Sequence, residues 1–579
     1  MSNPLLLTDS QGRGSKRRAA LRRVAVPVPN RGPATDLIFM VLRRMRVPLL
    51  VVTAIFTTAV VGLTFIPFEG ADGELHRMSF FDAFYFISYA GTTIGFGEPA
   101  AGFSDGQRLW TTYMIYFMVV GWAYALGSLI AALQDPALKK ALALGRFRRK
   151  VRRQREPFYI LCSHGQVEKA VVSAMDSLGR RVVAIDPLDE PMDTLASETL
   201  SLEIPSIQAD ARDPLVLGMA GLGHPQCQGV LALARDDSIN LAIVMAVQLM
   251  QPDVPVLARS SNQKMEKEMA EFGAHAVINP FDTYGDHLTL RLHRPITWQL
   301  ISWLISPEGT PRPARIEGLA DGRWIVCSDD RFGPEITADL EADGLDVILL
   351  DPADGMPDLT GAIGFIAGGS DDAQNLLLAA HARISYPDVF LSVRQTFRSN
   401  EPLLDAFSPE SVFLPSRMVT SEIMARITTP AFWQFLEHVR EQDDIWSLGL
   451  MRTLVSLVGD GSPASKRCAI TNAQAPAVAR RLTGGGCVRI GDLLRDPDDR
   501  EANVPVIVGT LIRNGVHEFL PDPDEPLRLG DEVLLIGTSD GFDLMTPALY
   551  YDHVLEYVVS GRQVPISWFW RKLTRHRDV

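Results

Sequence analysis

The sequence predicts a membrane-embedded α-helical domain, followed by two α/β Rossmann-like domains and a small C-terminal α+β subdomain. Three observations lead to this fold class. Two long segments without charged residues lie near the N-terminus, at residues 47–68 and 109–134. The later sequence alternates short apolar strands with helical stretches, the pattern of a parallel sheet with crossover helices. A second part of the chain then repeats the pattern of the first.

The composition is that of a globular protein with one strongly apolar region. Hydrophobic residues make up 46% of the 579 residues, but nearly all long charge-free runs lie between Val47 and Gln134. The formal net charge is −13, although the N-terminal third carries basic clusters. The acidic residues are therefore concentrated in the later part of the chain. An acidic soluble region argues against a nucleic-acid-binding protein, so we expect no nucleic-acid partner.

The cysteines and the N-terminus carry no targeting or disulfide pattern. None of the five cysteines forms a CxxC pair, so we expect reduced, mostly buried thiols in a cytosolic region. Residues 1–42 are largely polar and basic, without an apolar core or a small-residue cleavage site. We interpret them as a flexible basic arm rather than a signal peptide.

The two uncharged segments are each long enough to cross a hydrocarbon core of ~30 Å as a helix. Basic residues precede the first segment at 43–46 and recur through a basic linker, residues 137–156, after the second. By the positive-inside rule, both flanks of this domain, residues 43–136, face the cytoplasm. We therefore expect a multi-pass protein of the inner (plasma) membrane, in contact with lipid, with both termini cytoplasmic.

The candidate functional residues lie between the two predicted spans. Residues 80–91 are apolar and aromatic but too short to span, so they predict a re-entrant helix. Residues 92–98 follow with alternating glycines. Non-helical backbone at membrane depth is tolerated only where protein covers it or water fills a cavity. An ion-selectivity filter meets this condition, because stacked carbonyl oxygens replace the hydration shell of the ion and glycines permit the left-handed backbone angles required. The predicted filter comprises Thr92, Thr93, Ile94, Gly95, Phe96 and Gly97.

The segment Thr93–Gly97 resembles the TVGYG filter of potassium channels, with Ile94 in place of valine and Phe96 in place of tyrosine. The resemblance implies that K⁺ is the permeant ion. One chain supplies one filter strand, so it also implies a homotetramer. Phe96 and Glu98 depart from the family pattern, which leaves a non-selective cation channel as an alternative. In the second span, Gly121 and Gly127 are candidate gating hinges, with close helix packing as the other interpretation.

The remaining chain predicts two tandem Rossmann-like domains, at residues 157–310 and 322–440. Apolar strands at 158–162 and 181–186 flank a helical stretch, as in an opening βαβ unit. Residues 362–395 parallel residues 229–260: each has a strand, a turn with Asp-Asp, an Asn before an apolar helix, and Pro-Asp-Val before the next strand. Helices at 297–304 and 420–439 are interpreted as crossover helices.

Over roughly residues 157–545 this arrangement resembles the RCK (regulator of potassium conductance) domains of ligand-gated potassium channels and Trk-type uptake systems. The resemblance implies that residues 441–545 are the C-terminal subdomain of that family, followed by a tail at 546–579. It implies that the domains dimerise through crossover helices and that four chains form a cytoplasmic ring of eight domains that gates the pore. No substrate domain or convergent acid–base set is visible, so no enzymatic activity is expected.

A gating ligand is implied by the resemblance, and its identity stays open, as does whether it opens or closes the pore. The dinucleotide fingerprint G-x-G-x-x-G survives only in part at the first turn, where Glu168 would oppose a pyrophosphate. For NAD(H) or an adenine nucleotide, the candidates are Ser163, His164, Gly165, Asp186 and Asp210. Solvated carboxylates at strand ends are the alternative for the two acids.

Calcium is the other ligand that the resemblance implies. Asp186, Asp210 and Asp213 are the candidate ligands for Ca²⁺, although no EF-hand spacing is present. A further alternative for the whole chain is a membrane-anchored, nucleotide-sensing regulator of ion transport that does not conduct.

Overall fold

The computed structural model describes residues 27–28, 36–69, 74–98, 103–162, 165–186, 204–314, 322–396, 400–405 and 407–563. The chain divides into two compact units, which we describe separately. The membrane unit comprises mainly residues 29–154, and the α/β unit mainly residues 155–579.

The membrane unit consists of helices and one short hairpin. Two of its helices are long and apolar enough to cross a membrane, over Arg43–Phe65 and Asp105–Gln134. The short strands pair antiparallel just after the first of these helices. The elements in order are α1 (Asp36–Phe65), β1 (Pro67–Glu69), β2 (Leu75–Arg77), α2 (Phe80–Gly91), α3 (Asp105–Gln134) and α4 (Pro136–Arg152).

The helix boundaries of this unit correct the sequence prediction at three places. Helix α1 begins inside the predicted arm and ends at Phe65 rather than at residue 68, because Pro67 disfavours helical backbone at the residue before it. Helix α3 begins at Asp105, before the predicted residue 109. There the Ser104 and Gln107 side chains each bond the backbone N–H of the other residue, forming a capping box. The predicted basic linker is helical over most of its length, as α4.

Buried apolar side chains join α1, α2 and α3 into one core. Ala59 and Leu63 of α1 pack with Phe86 and Ile87 of α2 and with Met118 of α3. Polar groups add two fixed contacts between the long helices. The Trp110 indole N–H donates to the Ala59 carbonyl at 3.2 Å, and the Gln107 amide donates to the Ile66 carbonyl at 3.0 Å. The re-entrant helix α2 is thus held by both spans.

The first lobe of the α/β unit contains a six-stranded parallel sheet with the order β5-β4-β3-β6-β7-β8. Most of its strands are buried on both faces, as expected where helices cover a parallel sheet. Its elements are β3 (Phe158–Cys162), α5 (Gln166–Ser177), β4 (Arg181–Asp186), β5 (Ser206–Gln208), α6 (Pro214–Met219), β6 (Cys227–Ala232), α7 (Asp237–Met250), β7 (Val256–Arg259), α8 (Gln263–Phe272), β8 (Ala276–Ile278), α9 (Pro280–His293) and α10 (Pro295–Leu304).

The second lobe repeats this topology with five parallel strands in the order β10-β9-β11-β12-β13. This order equals that of β4-β3-β6-β7-β8 in the first lobe. Its elements are β9 (Arg323–Cys327), α11 (Phe332–Ala342), β10 (Asp346–Leu350), β11 (Ala362–Ala367), α12 (Asp372–Ser385), β12 (Phe390–Arg394), α13 (Glu401–Asp405), β13 (Ser411–Phe413), α14 (Pro415–Thr428) and α15 (Pro430–Glu441). A short 3₁₀ helix follows β10 at Pro352–Asp354.

The two lobes exchange helices. Phe281, Tyr284 and Leu288 of α9, which follows the first sheet in sequence, lie in the core of the second lobe. Val419 and Ile423 of α14, which follows the second sheet, lie in the core of the first lobe. The exchanged helices are therefore α9 and α14.

The prediction that residues 297–304 and 420–439 are the crossover helices was wrong in detail. Helix α10 packs with α15 and with the helix that follows it, through a separate core that contains Trp303 and Phe435. The helix predicted over 420–439 is two helices, α14 and α15, because Pro430 cannot continue an α-helix from Thr429.

Residues 444–560 form a four-stranded antiparallel sheet with the order β14-β17-β15-β16, surrounded by helices. Leu555 and Val558 lie in its core, so this fold extends past the predicted boundary at residue 545 and includes part of the predicted tail. Its elements are α16 (Asp444–Val458), β14 (Ala464–Ala469), α17 (Pro476–Thr483), α18 (Ile490–Leu493), β15 (Val506–Arg513), β16 (Val516–Phe519), β17 (Glu532–Gly537), α19 (Ser539–Tyr550) and α20 (Asp552–Ser560).

Candidate functional site

The backbone of the predicted filter alternates in handedness. Thr93, Gly95 and Gly97 have φ values of 63°, 70° and 96°, whereas Ile94 and Phe96 keep negative φ. Backbone that alternates between left- and right-handed angles turns successive carbonyl groups toward the same side. The two glycines adopt these angles without steric cost, but a threonine in this region carries strain of about 1–2 kcal/mol. The segment has the backbone form needed for a row of carbonyl oxygens that can bind a cation.

Two side-chain contacts fix the C-terminal end of this segment. The Tyr89 hydroxyl on α2 donates to the Gly97 carbonyl at 2.7 Å, and its ring packs edge-on against Phe96 with ring centroids 5.4 Å apart. The Glu98 carboxylate accepts two hydrogen bonds from the Arg108 guanidinium at 3.1 and 3.0 Å, the bidentate geometry that stabilises such pairs best. The segment is therefore tied both to the re-entrant helix and to the start of α3.

Tyr89 and Arg108 were not among the sequence-predicted site residues. Phe96 has no hydroxyl, and the Tyr89 hydroxyl supplies a hydrogen bond at this end of the segment. A signal was present in the sequence, because Tyr89 is a polar aromatic residue two residues before the end of an apolar helix. For Arg108, the signal was a single positively charged residue directly before the predicted second span, opposite in charge to Glu98.

The two candidate hinge glycines differ in their surroundings. A Cβ atom on Gly121 would lie 2.9 Å from the Cδ1 atom of Ile55 on α1, which is tighter than real Cβ contacts. A Cβ atom on Gly127 would meet nothing within 4 Å. Both glycines lie inside the continuous helix α3. Gly121 thus permits close packing of the two spans, and packing does not account for Gly127.

In the first lobe, a carboxylate of the chain itself lies at the start of α5. The Glu168 carboxylate accepts a hydrogen bond from the Gly165 N–H at 2.8 Å, and its side chain is buried. Burial raises the pKa of Glu168. This is the place where the N-terminus of a helix binds phosphate in dinucleotide-binding domains. Two of the predicted nucleotide-binding residues, Ser163 and His164, lie outside the described residues.

The second lobe has the same arrangement with different residues. The Asp330 carboxylate accepts from the Phe332 N–H at 3.0 Å, at the start of α11. The Arg394 guanidinium donates to both oxygens of Asp330 at 2.8 Å. Neither first turn therefore presents a free helix N-terminus to an external phosphate.

The predicted carboxylate ligands have local roles. Asp186 is buried at the end of β4, and Asp210 pairs with Arg212 at 2.7 Å, a hydrogen bond that lowers the pKa of Asp210. Asp213 accepts from the Leu215 N–H at 2.8 Å and caps α6. Among the described residues, no group of three or more His, Cys, Asp or Glu side chains could hold a metal ion. The described residues do not bring these three carboxylates together, and calcium binding stays a prediction.

The internal repeat extends to individual hydrogen bonds. The buried Asn240 side chain accepts from the Ala234 N–H and donates to the Ala234 and Arg259 carbonyls at 2.8–2.9 Å. The buried Asn375 side chain makes the same three contacts, with Gly369 and Arg394, at 2.8–3.0 Å. Each amide joins the turn before its helix to the end of the next strand. The structure places both asparagines in the first turn of the helix rather than before it, and these contacts explain why both repeats have an asparagine there.

Two family models match the chain. The model described as "Ion channel" matches residues 49–135, which contain α2, α3 and most of α1. The model described as "TrkA-N domain" matches residues 159–280, the first lobe. The chain joins an ion-channel domain to a TrkA-N domain. These matches point to an ion channel with a regulatory domain and not to an enzyme.

Curated relatives match the chain only in part. Over 238 residues the chain is 24% identical to the voltage-gated potassium channel Kch of Escherichia coli (strain K12), covering 41% of this chain and 55% of Kch. Over 220 residues it is 23% identical to an uncharacterized protein of Methanothermus fervidus, covering 38% of this chain and 33% of that protein. The chain thus spans about half and a third of the lengths of these two relatives.

Solved structures of one channel cover most of the chain. The GsuK channel has a TM-score of 0.42 and 14% sequence identity, with 91% of this chain and 100% of that chain covered. The GsuK channel bound to NAD has a TM-score of 0.41 and 14% identity, with 89% and 99% covered.

The TrkA-N match ends at Pro280, but the strand order of the matched lobe recurs in the second lobe. The second lobe shares the strand order of the TrkA-N domain and its asparagine contacts, although the family model does not match it. In the ion-channel domain, the match includes the whole predicted filter and its contacts to Tyr89 and Arg108.

Proposed function

We propose that the chain is one subunit of a ligand-gated, potassium-selective channel. The observation that carries this proposal is the alternating backbone of Thr93, Gly95 and Gly97, placed between two membrane-length helices in a domain of the ion-channel family. Such a segment offers several carbonyl oxygens in a row, which is how a potassium filter replaces the hydration shell of the ion.

The proposed assembly is a homotetramer in the inner membrane, with both termini cytoplasmic and lipid around the spans. In a single chain, the filter backbone is exposed, and Ile94 and Phe96 are 60% and 71% exposed. Non-helical backbone at membrane depth must be covered by protein or line a water-filled cavity. Four copies around a common axis meet both needs, because one side of each segment faces the pore and the other packs on protein.

The proposed gate is a ring of eight RCK domains, two from each chain, with residues 444–560 as the C-terminal subdomain of the second. The exchange of α9 and α14 supports a paired unit, because neither lobe completes its core alone. A ligand, proposed to be a nucleotide, would shift the ring between two packings and act on α3 through the α4 helix. Its differential affinity for the two packings would supply the gating energy.

Potassium flux in liposomes tests the proposal. Purified chain should pass K⁺ in preference to Na⁺. Gly95→Ala should abolish selective flux, because residue 95 needs a left-handed backbone angle (φ 70°) that alanine adopts only with strain. Gly145→Ala in α4 is the matched control, since its added methyl group meets nothing within 4 Å. Equal permeability to the two ions would contradict selectivity and favour the non-selective cation channel suggested by Phe96 and Glu98.

A second candidate function is a membrane-anchored regulator without conduction. The large α/β unit favours it, because such a unit would suit a sensor whose output is a partner protein. Absence of any cation flux from folded chain, with ligand binding retained, would support this alternative.

A further inference from the structure

A groove of about 440 Å³ opens on the surface of the C-terminal subdomain. Its volume is in the range of binding pockets, roughly 300–1,000 Å³. Helices α16 and α18 and strand β15 contribute its walls, together with the loop that follows β16. The residues that line it are mostly apolar and include Trp446, Leu450, Ile490, Ile507, Leu520 and Pro523.

Apolar side chains at this groove are exposed in the described part of the chain. Ile445, on the same helix as Trp446, is 83% exposed, and Leu520 is 36% exposed. Leu520 also has a φ of 46°, a left-handed angle that is rare for a bulky residue, while its N–H donates to the Gly509 carbonyl at 2.9 Å. The backbone therefore holds an apolar side chain at the groove despite the strain, which is typical of binding segments.

The groove has room for an incoming apolar side chain. A Cβ atom on Gly449 of α16, which lines the groove, would meet nothing within 4 Å among the described residues. Among the described lining residues, Thr453 has the only hydroxyl group, and this hydroxyl donates to the Gly449 carbonyl at 3.1 Å. The groove thus offers little to orient a small polar ligand, and an apolar occupant fits it better.

The described chain ends close to one wall of the groove. The Arg495 and Arg500 guanidinium groups donate to the Val558 carbonyl at 2.8 and 3.1 Å, so the loop after α18 is bonded to the last turn of α20. The described residues then end at Gln563. Whatever follows Gln563 therefore starts next to α18, which contributes to the groove.

The segment that follows, residues 564–579, has the chemistry that such a groove would bind. It contains three consecutive aromatic residues, Trp568, Phe569 and Trp570. Aromatic side chains bury large apolar areas and pair favourably with other rings, and Trp446 offers a ring in the groove. The aromatic residues lie five to seven positions after Gln563, a reach of roughly 17–24 Å in extended chain. Four strands of a sheet span only roughly 14 Å, so the groove is within reach.

The charges around the groove are complementary to those of the segment. Four basic residues follow the aromatic residues, within positions 571–577. On the subdomain, Asp522 and Asp524 lie in the loop after β16 that lines the groove, and residues 496–499 after α18 include three aspartates. Asp524 pairs with Arg489 at 2.7 Å but stays largely exposed. An aromatic stretch followed by basic residues thus matches an apolar groove with an acidic rim.

We propose that residues 564–579 dock in this groove of their own chain, with Trp568 and Trp570 in the groove and the basic residues on its acidic rim. The docked segment covers the outer face of α16, whose inner face packs on Trp303 of α10 and Phe435 of α15. The end of the chain thereby stabilises the subdomain next to the helices that lie between the lobes. This proposal does not rest on conduction or on a gating ligand.

Limited trypsin digestion of the purified full-length chain in detergent tests the docking. Trypsin cleaves after Arg571 and Lys572 only when this stretch is accessible, and intact-mass spectrometry follows the loss of the residues beyond them. Gly449→Leu fills the groove and should accelerate this cleavage at least tenfold, because proteolysis follows the population of the undocked form. Gly145→Leu is the matched control, since residue 145 is also a helical glycine whose Cβ would meet nothing within 4 Å.

Variants in the segment itself keep the test decisive if Gly449→Leu does not fold. Trp568→Ala combined with Trp570→Ala should accelerate the cleavage at least tenfold, and Thr574→Ala is the matched control outside the aromatic stretch. The proposal is overturned if the double tryptophan variant, or a folded Gly449→Leu chain, is cleaved at the rate of the parent chain.

Two other binding places for the segment are distinguished by the same assay. In a co-expressed mixture of Gly449→Leu chains and double tryptophan variant chains, protection of the intact segments would mean that they dock on a second copy. A parent chain protected only in phosphatidylglycerol vesicles, and not in detergent, would mean that the membrane binds the segment. Either result overturns the proposal, and neither bears on whether the chain conducts K⁺.

Discussion

The Tyr89 hydroxyl group is one of the two side-chain contacts that hold the end of the proposed filter. Tyr89 is buried, and its hydroxyl bonds the carbonyl of Gly97, the last residue of the motif. The bond runs from a helix embedded in the core of the membrane unit to a segment whose Ile94 N–H also bonds the Tyr89 carbonyl at the end of that helix. At the scale of residues, the stiffness of this segment therefore depends on side chains outside the motif.

We expect Tyr89→Phe to lower the K⁺/Na⁺ permeability ratio while the protein stays folded. The substitution removes one hydrogen bond, worth about 1 kcal/mol, and keeps the ring contact with Phe96. Bi-ionic reversal potentials measure the ratio. Tyr85→Phe is the matched control, since Tyr85 is exposed on the same helix. A ratio equal to that of the parent chain would mean that the Tyr89 bond does not stabilise the filter.

Asp339 on α11 predicts a pH-dependent stability. One of its carboxylate oxygens is buried and has no hydrogen-bond partner among the described residues. Burial first, and then four neighbouring carboxylates, raise the pKa of Asp339 to about 7. The neighbours are Asp282, Asp286, Glu335 and Asp343. A raised acid pKa means that the folded state holds its proton more tightly than the unfolded state, so stability falls as pH rises from about 4 through about 7.

We expect Asp339→Asn to stabilise the chain at pH 8 and to have little effect near pH 4. The full shift would correspond to roughly 4 kcal/mol. Solvent screening of this partly exposed group reduces the expected gain to about 1–2 kcal/mol. Thermal unfolding of parent and variant across this pH range measures the difference. A stability difference that does not change with pH would show that Asp339 titrates normally.

At the scale of elements, the two spans pack closely at Gly121, because glycine has no side chain to separate them. Gly121 lets Ile55 of α1 approach α3, whereas Gly127 faces open space in the single chain. The same residue type in the same helix therefore has two different environments. Sequence reasoning could name both glycines but could not separate them, because the distinction depends on which face of α3 meets α1.

We expect Gly121→Val to lower the free energy of unfolding by about 1–3 kcal/mol through overpacking against Ile55. Gly127→Val is the matched control, with the same change in helix propensity and no close neighbour in the chain. Unfolding in detergent, followed by circular dichroism, compares the two variants. Equal destabilisation by both would contradict a packing role for Gly121.

The element boundaries show what local sequence can predict. The bounds of α2, β3 and β4 agree with the sequence prediction, because apolar runs of these lengths have sharp polar ends. The prediction was wrong where tertiary structure decides. It treated α14 and α15 as one helix despite Pro430, and it placed the crossover in α10 although α9 is the helix that covers the other lobe.

At the scale of the whole molecule, the buried thiols provide a simple measure of the fold. Of the five cysteines, only Cys487 is exposed. Burial raises the pKa of Cys227 to about 12 and that of Cys327 to about 11, which suppresses the reactive thiolate.

We expect iodoacetamide to label one thiol per native chain, and Cys487→Ser to abolish that label. The remaining cysteines should react only after unfolding. Intact-mass spectrometry counts the labels, and peptide mapping locates them. Rapid native labelling of Cys162, Cys227, Cys327 or Cys468 would mean that the α/β unit opens more readily than its packing indicates.

The sequence predicted the order of the helical and α/β parts of the chain, because periodicity and residue type determine it. It did not predict the groove beside α16 or the left-handed backbone of Leu520. Those features depend on residues far apart in the chain, such as Trp446 and Leu520, that meet only in the folded subdomain. Calcium binding stays a prediction, and the described contacts of two of its candidate ligands are local, with Asp210 bonded to Arg212 and Asp213 to the Leu215 N–H.

The matching asparagines also allow the two lobes to be compared within one chain. Asn240 and Asn375 make equivalent hydrogen bonds, are equally buried and lie in the first turns of equivalent helices, α7 and α12. Replacing each asparagine in turn removes equivalent hydrogen bonds from each lobe of one chain. Any difference in stability between the two variants therefore reflects a difference between the lobes. The duplication thus allows the divergence of the lobes to be measured within one molecule.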